Sequence, residues 1–326
     1  MKKIACFLGE KDLHYLDHLA PLADLLDIPL VTTDVDVEKL VEEFYPTVKT
    51  VWAPNIHAPI LTTCDVVVTC MPKKMAKSAL PFLGEDASSK KLVFCPHGQS
   101  DKNNLSALQE ESSFLVYGKQ MVDRLGFHPL KNAYFVTGNY RKLYYENKAL
   151  FYQKWMQKNL PHLLERPFFF YAPTWEDYEN SFSLAQGERF FTHFPKDLTL
   201  VVKLHPNTWK KRWVELLLWK ERYKDQITFL ENIPIVLPFV STCQGYIGDS
   251  SSVGYDALAY NKPHFIVTEK ENQPLYAIRN KLDMQRIKQQ LQENSAPIKK
   301  AAQNEVFHPK VSIEELMQWL QARCFS

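Results

Sequence analysis

Residues able to do chemistry cluster just after short apolar runs. The longest cluster is Gly245-Tyr246-Ile247-Gly248-Asp249-Ser250-Ser251-Ser252-Val253-Gly254-Tyr255-Asp256. It reads as a strand, three serines and a helix from about Val253 to Ala259. Hydroxyl residues at a helix start cap its free amides, and those amides with the positive dipole end attract an anion. One serine is explained as a cap. Three in a row after Asp249 point to phosphate. In Val201-Val202-Lys203-Leu204-His205-Pro206-Asn207, strand alternation puts Lys203 and His205 on one side. Such a pair would offset charge on a departing phosphate. Leu92 to Lys102 has a strand, then His97, Gly98 and Lys102. Gly98 would admit a ligand close to the backbone, and His97 could act as a base near neutral pH. Arg141 in Gly138-Asn139-Tyr140-Arg141 could hold phosphate. Thr174 in Tyr171-Ala172-Pro173-Thr174-Trp175-Glu176-Asp177 could donate a hydroxyl.

The elements that must position these residues alternate between apolar strands and amphipathic helices, the pattern of a parallel sheet with crossover helices. Strands are predicted at Lys3–Leu8, Pro29–Thr32, Val48–Trp52, Val66–Cys70, Leu92–Cys95, Phe114–Tyr117 and Tyr134–Thr137. A second set follows at Phe168–Tyr171, Leu198–Lys203, Ile227–Leu230, Gly245–Ile247 and His264–Val267. Helices are predicted at Leu13–Leu26, Val37–Phe44 and Lys119–Leu125. Tyr144–Leu160 reads as one helix joining two halves. Ser312–Arg323 is a last helix, with Ser312 and Glu315 spaced as a capping box. The expectation is two Rossmann-like domains, 1–150 and 151–326, with parallel sheets facing a cleft; the last helix, 312–324, would pack back on the first. Ligands of open parallel sheets bind beyond the carboxyl ends of the strands, where the clusters lie.

Composition narrows the classes. The chain has 326 residues, 45% hydrophobic and 23% charged, with a formal net charge of +2. Those values fit a globular protein and do not mark a dedicated nucleic-acid binder. No apolar run approaches a membrane span, and Glu10, Lys11 and Asp12 cut the first apolar stretch short of a signal peptide. The six cysteines form no C-x-x-C pair, so a zinc site is not expected, and a reducing cytoplasm fits; no other metal site is apparent in the sequence and no cofactor is expected. Neither G-x-G-x-x-G nor G-x-x-x-x-G-K-[ST] occurs, which removes the dinucleotide fingerprint and the phosphate-loop ATPase. Asp34-Val35-Asp36 spells D-x-D but sits where a helix cap belongs. His14 and His18, four apart on one helix face, lack a third metal ligand and read as an exposed or partly buried pair. The basic, Trp-rich segment Thr208–Arg222 reads first as a helix packed on a sheet. Its second reading is a peripheral contact with an anionic membrane face.

Taken together, the five clusters resemble the CDP-glycerol glycerophosphotransferases, the teichoic acid polymerases and primases. Their W-H-G-T-P-x-K-K segment is similar to Pro96-His97-Gly98-Gln99-Ser100-Asp101-Lys102, and G-x-P-R-N-D to Gly138-Asn139-Tyr140-Arg141. Y-A-P-T-[WF]-R-D resembles Tyr171–Asp177, and K-x-H-P is matched by Lys203-Leu204-His205-Pro206. D-Y-S-S-[VI]-x-x-D resembles Asp249–Asp256, followed by Lys262-Pro263. Pro96, Ser100, Glu176 and Ser250 replace the family's Trp, Pro, Arg and Tyr.

The resemblance implies a GT-B fold and transfer of an alditol phosphate from a CDP-linked donor to a hydroxyl acceptor. Ser250, Ser251, Ser252, Asp249, Lys203, Arg141, Thr174 and Lys102 are then the expected donor-binding residues. His97 is expected to take the acceptor proton and His205 to offset charge on the leaving nucleotide. A nucleotide-sugar glycosyltransferase or epimerase of the same fold is the first alternative. A binding protein that kept the fold without the chemistry is the second.

Overall fold

Parallel pairing organises both halves of the chain. The computed structural model describes residues 3–9, 12–53, 63–73, 75, 91–99, 111, 113–125, 133–176, 183–267, 280–293 and 306–323. The chain divides into two units. Unit 1 comprises Met1–His97, Asn103–Asn147 and Asn304–Ser326; unit 2 comprises Gly98–Lys102 and Lys148–Gln303.

Unit 1 carries strands β1 (Ile4–Leu8), β2 (Leu30–Thr32), β3 (Thr50–Trp52), β4 (Val66–Thr69), β5 (Lys91–Phe94), β6 (Ser113–Val116) and β7 (Ala133–Val136). They pair in parallel in the order β3-β2-β1-β4-β5-β6-β7. Every residue of β1 and β4 is buried, as befits central strands covered on both faces. Edge strand β3 is only partly covered. Helices α1 (Leu13–Leu26), α2 (Val35–Phe44), α3 (Lys119–Leu125) and α4 (Tyr140–Asn147) serve this sheet. Asp34 caps α2, accepting from the amide of Asp36 at 2.9 Å.

Unit 2 begins with α5 (Ala149–Asn159) and the short α6 (His162–Glu165). The expected single helix Tyr144–Leu160 is therefore two, α4 and α5, broken at Lys148, whose ψ of 16° leaves helical geometry. Tyr144 and Tyr145 are buried on one side of the break, and Tyr152 and Met156 on the other. Strands β8 (Phe168–Tyr171), β9 (Thr199–Val202), β10 (Ile227–Phe229), β11 (Gly245–Gly248), β12 (His264–Ile266) and β13 (Asn280–Lys281) form the second parallel sheet, in the order β10-β9-β8-β11-β12-β13. Helices α7 (Leu184–His193), α8 (Pro206–Tyr223), α9 (Leu237–Thr242), α10 (Val253–Ala259) and α11 (Ile287–Glu293) complete it. Its core is aromatic: Phe169, Phe190, Phe191 and Phe194 pack with Trp219 of α8. Leu216 and Trp219 are the buried stripe of α8, so the packing reading of that segment holds for this face.

The last helix, α12 (Ile313–Ala322), belongs to unit 1. Ser312 accepts from the Glu315 amide at 3.3 Å, the serine half of the expected capping box. Both sheets reverse their strand order once, between β1 and β4 and between β8 and β11. The carboxyl ends flanking such a reversal are where an open α/β sheet takes a ligand.

One interaction fixes α1 against α4. Pro21 lies inside α1 and has no N–H for the carbonyl of Asp17, four residues back. Arg141 Nε supplies the missing donor at 2.9 Å. The same guanidinium pairs with the Asp17 carboxylate. The other carboxylate oxygen accepts from Tyr45 at 3.0 Å and from Tyr145. Burial and the Asp17 charge push the Tyr45 phenol up, so it remains a donor. Asp17 and Arg141 are 1% and 2% exposed. Removing one partner of a buried pair strands the other, at a cost of about 3–5 kcal/mol. Arg141→Met should therefore lower the unfolding free energy by roughly that amount. Urea unfolding, read at unchanged slope, is the measurement.

Candidate functional site

The reversal point of unit 2 is built from two loops tied by one carboxylate. After β8 the chain continues through Ala172, Pro173, Thr174 and Trp175; after β11 it continues through Asp249 and the three serines. Asp249 is 2% exposed. Both its oxygens accept from the Thr174 amide at 3.0 Å, and one accepts from the Ser251 amide at 2.8 Å. Tyr246 donates its hydroxyl to the Ala172 carbonyl at 2.8 Å, a second tie between the loops. Burial first, then the charge of Asp249, pushes the Tyr171 phenol up. Gly248 must be glycine: a Cβ there would overlap the Tyr246 ring and hydroxyl.

The serines divide their work. Ser251 Oγ accepts from the Val253 amide at 3.4 Å, and its carbonyl takes the Gly254 amide. Ser252 stands at the N-cap of α10 yet makes no side-chain capping bond. Ser250 is buried, 2% exposed, and its hydroxyl has no hydrogen-bond partner among the described residues. Buried hydroxyls are rarely left so. The capping explanation therefore covers Ser251 and fails for Ser250 and Ser252.

Beside these loops, Lys203 follows β9, and its amide bonds the Tyr171 carbonyl at 2.9 Å. His205 is the N-cap of α8 and its Nδ1 accepts from the Asn207 amide at 3.1 Å. That bond leaves Nε2 as the nitrogen carrying the proton. The His205 ring stacks on Trp175, with centroids 6.0 Å apart and planes 26° apart, and Lys211 Nζ lies 4.3 Å from the Trp175 centroid. Glu176, at the family's Arg position, pairs with Arg212 at 3.0 Å. The result is an imidazole and an ammonium gathered on one indole.

In unit 1, His97 follows β5 and is exposed. Gly98 after it has φ of 103°, a turn that excludes a side chain at little cost only for glycine. Two rings from α1 meet His97: His14 at 5.2 Å and Tyr15 at 4.9 Å between centroids. His14 Nδ1 lies 2.7 Å from Asp12 Oδ1. The expected His14–His18 pair is thus split. His18 is buried, bonded through Nδ1 to the Tyr117 hydroxyl at 2.8 Å. Burial, then Arg141, His97 and His14, lowers its proton affinity.

The structure gathers Thr174, Asp249, Ser250, Ser251 and Ser252 at one end of sheet 2, with His205 against Trp175 on the neighbouring loop. It gives Arg141 another occupation, inside unit 1 on Asp17, because Pro21 creates a need there. It gives Asp249 to backbone amides. Lys102 lies outside the described residues, as do Ser100, Asp101 and Asp177. Sequence reasoning missed Asp12, His14 and Tyr15 as neighbours of His97. The available signal was their place directly after β1.

Two parallel α/β sheets, each with one strand-order reversal, give a GT-B-like fold. The family described as CDP-Glycerol:Poly(glycerophosphate) glycerophosphotransferase matches residues 117–295, more than half of the chain, and the chain belongs to that family. It is a transferase of the glycerophosphotransferase type. No curated protein matches it in sequence. Among solved structures it is similar to the UDP-GlcNAc 2-epimerase of Methanocaldococcus jannaschii in complex with UDP-GlcNAc and UDP. That likeness has a TM-score of 0.69 at 14% identity and covers 98% of this chain and 99% of the other. A variant of the wall teichoic acid polymerase TagF gives 0.67 at 11% identity, covering 99% and 89%. S. aureus MnaA with UDP gives 0.64 at 16%, covering 99% and 97%. At these identities the likeness is one of fold.

Asp249→Ala would leave the buried amides of Thr174 and Ser251 without acceptors, at about 1–3 kcal/mol each. A fall of that size in urea unfolding is expected, larger than for Ser251→Ala, which removes one long bond.

Proposed function

We propose that unit 2 holds a CDP-linked alditol donor and that unit 1 serves the hydroxyl acceptor. The observation that carries this reading is the buried Ser250 hydroxyl, without a partner among the described residues, beside a non-capping Ser252, at the reversal point of sheet 2. A diphosphate has acceptor oxygens for both. Asp249 keeps the two loops in register and Thr174 completes its clasp. Lys203 and the Nε2–H of His205 face the charge that develops on the leaving nucleotide, and positioning with charge stabilisation does most of the work. His97 takes the proton as the acceptor O–H bond breaks. The acceptor oxygen bonds the transferred phosphorus, and the bond to the nucleotide phosphate breaks with its electron pair, releasing CMP. Arg141 in this reading holds α1 and α4 together instead of holding phosphate.

Purified protein given a CDP-alditol and a glycerophosphate-terminated acceptor should release CMP. UDP-sugar turnover in its place would favour the epimerase or glycosyltransferase alternative. Ser250→Ala and Ser252→Ala should each weaken nucleotide-diphosphate affinity. Hydrogen bonds to charged groups contribute about 1.5–3 kcal/mol, roughly tenfold to a hundredfold in affinity. His205→Ala should lower both turnover and donor affinity, and His97→Ala turnover alone, by about 10²–10⁴-fold. Calorimetry and single-turnover rates separate these, and unchanged affinity in Ser250→Ala with Ser252→Ala would remove the phosphate role.

No described helix is long and apolar enough to cross a membrane. The outer face of α8 supports a peripheral contact. Trp213, Val214, Leu217 and Leu218 are exposed there, Trp213 by 61%. Lys210 and Arg222 flank them. Aromatic and aliphatic groups rimmed by cations suit an anionic bilayer surface, which would place the enzyme at the inner face of the membrane. Liposomes containing phosphatidylglycerol should float the protein, and Trp213→Ser with Leu218→Ser should abolish flotation.

A further inference from the structure

The reversal point of sheet 1 carries an arrangement that the family pattern, beginning at residue 117, does not reach. It lies between β1 and β4. The chain leaving β1 enters α1 through Asp12, His14 and Tyr15, and His97 arrives from β5, the strand next to β4. Asp12 is the N-cap of α1, a position that aspartate usually fills by accepting an amide of the first turn. It makes no such side-chain bond. Its carboxylate lies instead 2.7 Å from His14 Nδ1, the two side chains being 24% and 22% exposed. The atoms are close but not aligned as a hydrogen bond, so the contact is electrostatic. The His14 ring meets His97 edge to face, at 72°. Tyr15, its ring 4.3 Å from that of His14, meets His97 beside it, its phenol pushed up by burial, then by Cys70 and Asp12, so that it stays protonated.

We propose that Asp12 and His14 are positioning residues for His97: the carboxylate fixes the His14 ring, and that ring orients His97 and couples its protonation to its own. This inference rests on the reading of His97 as the base. Two imidazoles one ring-contact apart repel when both are protonated, so a charge on one disfavours a charge on the other. The other titratable or charged groups around them, among the described residues, are Asp12, Tyr15 and His18 of α1, Cys70 after β4, Cys95 after β5 and Arg141 of α4. Burial raises Cys70 and Tyr15, and lowers His18, towards their neutral forms, whereas the contact with Cys70, acting against burial, lowers Cys95. Among the described residues, His14 is the imidazole in ring contact with His97, Asp12 is the carboxylate beside His14, and the buried Arg141 is already paired with Asp17.

The test uses the full chain and two readouts. His14→Phe keeps a ring against His97 and removes the titrating group. In an NMR titration of the histidine ring protons, the His97 midpoint should move to higher pH in His14→Phe, because a repelling cation is gone. A purely packing role would leave that midpoint where it was, and such a result overturns the inference whatever reaction the protein catalyses. With a CDP-alditol donor, His14→Phe should slow single turnover by up to about 10²-fold, the scale of a misplaced catalytic group. Donor affinity should be unchanged, and the acid limb of the rate should move to higher pH with the His97 midpoint. Asp12→Asn should slow turnover in the same way without lowering the melting temperature. Full activity in both variants also overturns the inference. A wild-type protein that transfers nothing from a CDP-alditol, while the His97 midpoint still shifts, overturns the proposed reaction and leaves the histidine coupling standing.

Discussion

A missing hydrogen accounts for much of unit 1. Pro21 sits in the middle of α1 and takes away the amide that would bond the Asp17 carbonyl. A buried carbonyl left so is costly, and native structures nearly always find it a donor. Here the donor comes from Arg141, far along the chain, and a guanidinium brings five N–H groups and a charge with it. The charge requires a carboxylate, which Asp17 itself provides from the same turn. The carboxylate's second oxygen is filled by the hydroxyls of Tyr45 and Tyr145. One proline thus draws α1, the end of α2 and α4 to one point, and the start of α1 is held where Asp12 and His14 project.

Unit 2 solves a related problem with a different atom set. Two strand-end loops must lie side by side at the reversal point without the ladder hydrogen bonds that end with β8 and β11. Asp249 replaces the ladder, accepting amides from both loops. A buried carboxylate fed by backbone amides is stable as the anion. It is then poorly suited to binding phosphate directly, since like charges repel. Its contribution is the fixed spacing of the Thr174 and Ser250 segments, which leaves the Ser250 hydroxyl without a partner among the described residues and Ser252 without a capping bond.

The strands were legible because a strand buried on both faces is a plain apolar run. Phe168–Tyr171 and Val66–Thr69 could be little else. Strand β13 escaped notice: Asn280-Lys281 has no apolar signal, and only its pairing with β12 makes it a strand. Helix α7 was missed although Ser183 and Gln186 form a full capping box before it. Its core residues Phe190 and Phe191 are adjacent, which blurs the helical period. At the site, the motif after β11 placed the three serines between a strand and a helix, while local sequence could not say which hydroxyl would be consumed by capping. Arg141 shows the same limit more sharply. Its motif announced a cation at a strand end, but the partner that claims it is set by a proline in another helix. His14 was visible as half of a histidine pair on α1. Its true neighbour, His97, comes from a different strand and is found only when the sheet order is known.

Two aspartates at the start of α1 show how burial decides what a carboxylate does. Asp17 is closed off, and its two oxygens meet a guanidinium and two phenols. Every proton near it is held by a group that does not release protons near neutral pH, so the site is rigid and chemically inert. Asp12 is partly exposed and meets an imidazole, the side chain whose proton exchanges in that range. The same functional group on the same helix therefore serves the scaffold in one place and an exchangeable proton in the other. Because the buried aspartate anchors the helix that presents the exposed one, the inert pair sets the geometry within which the labile pair meets His97.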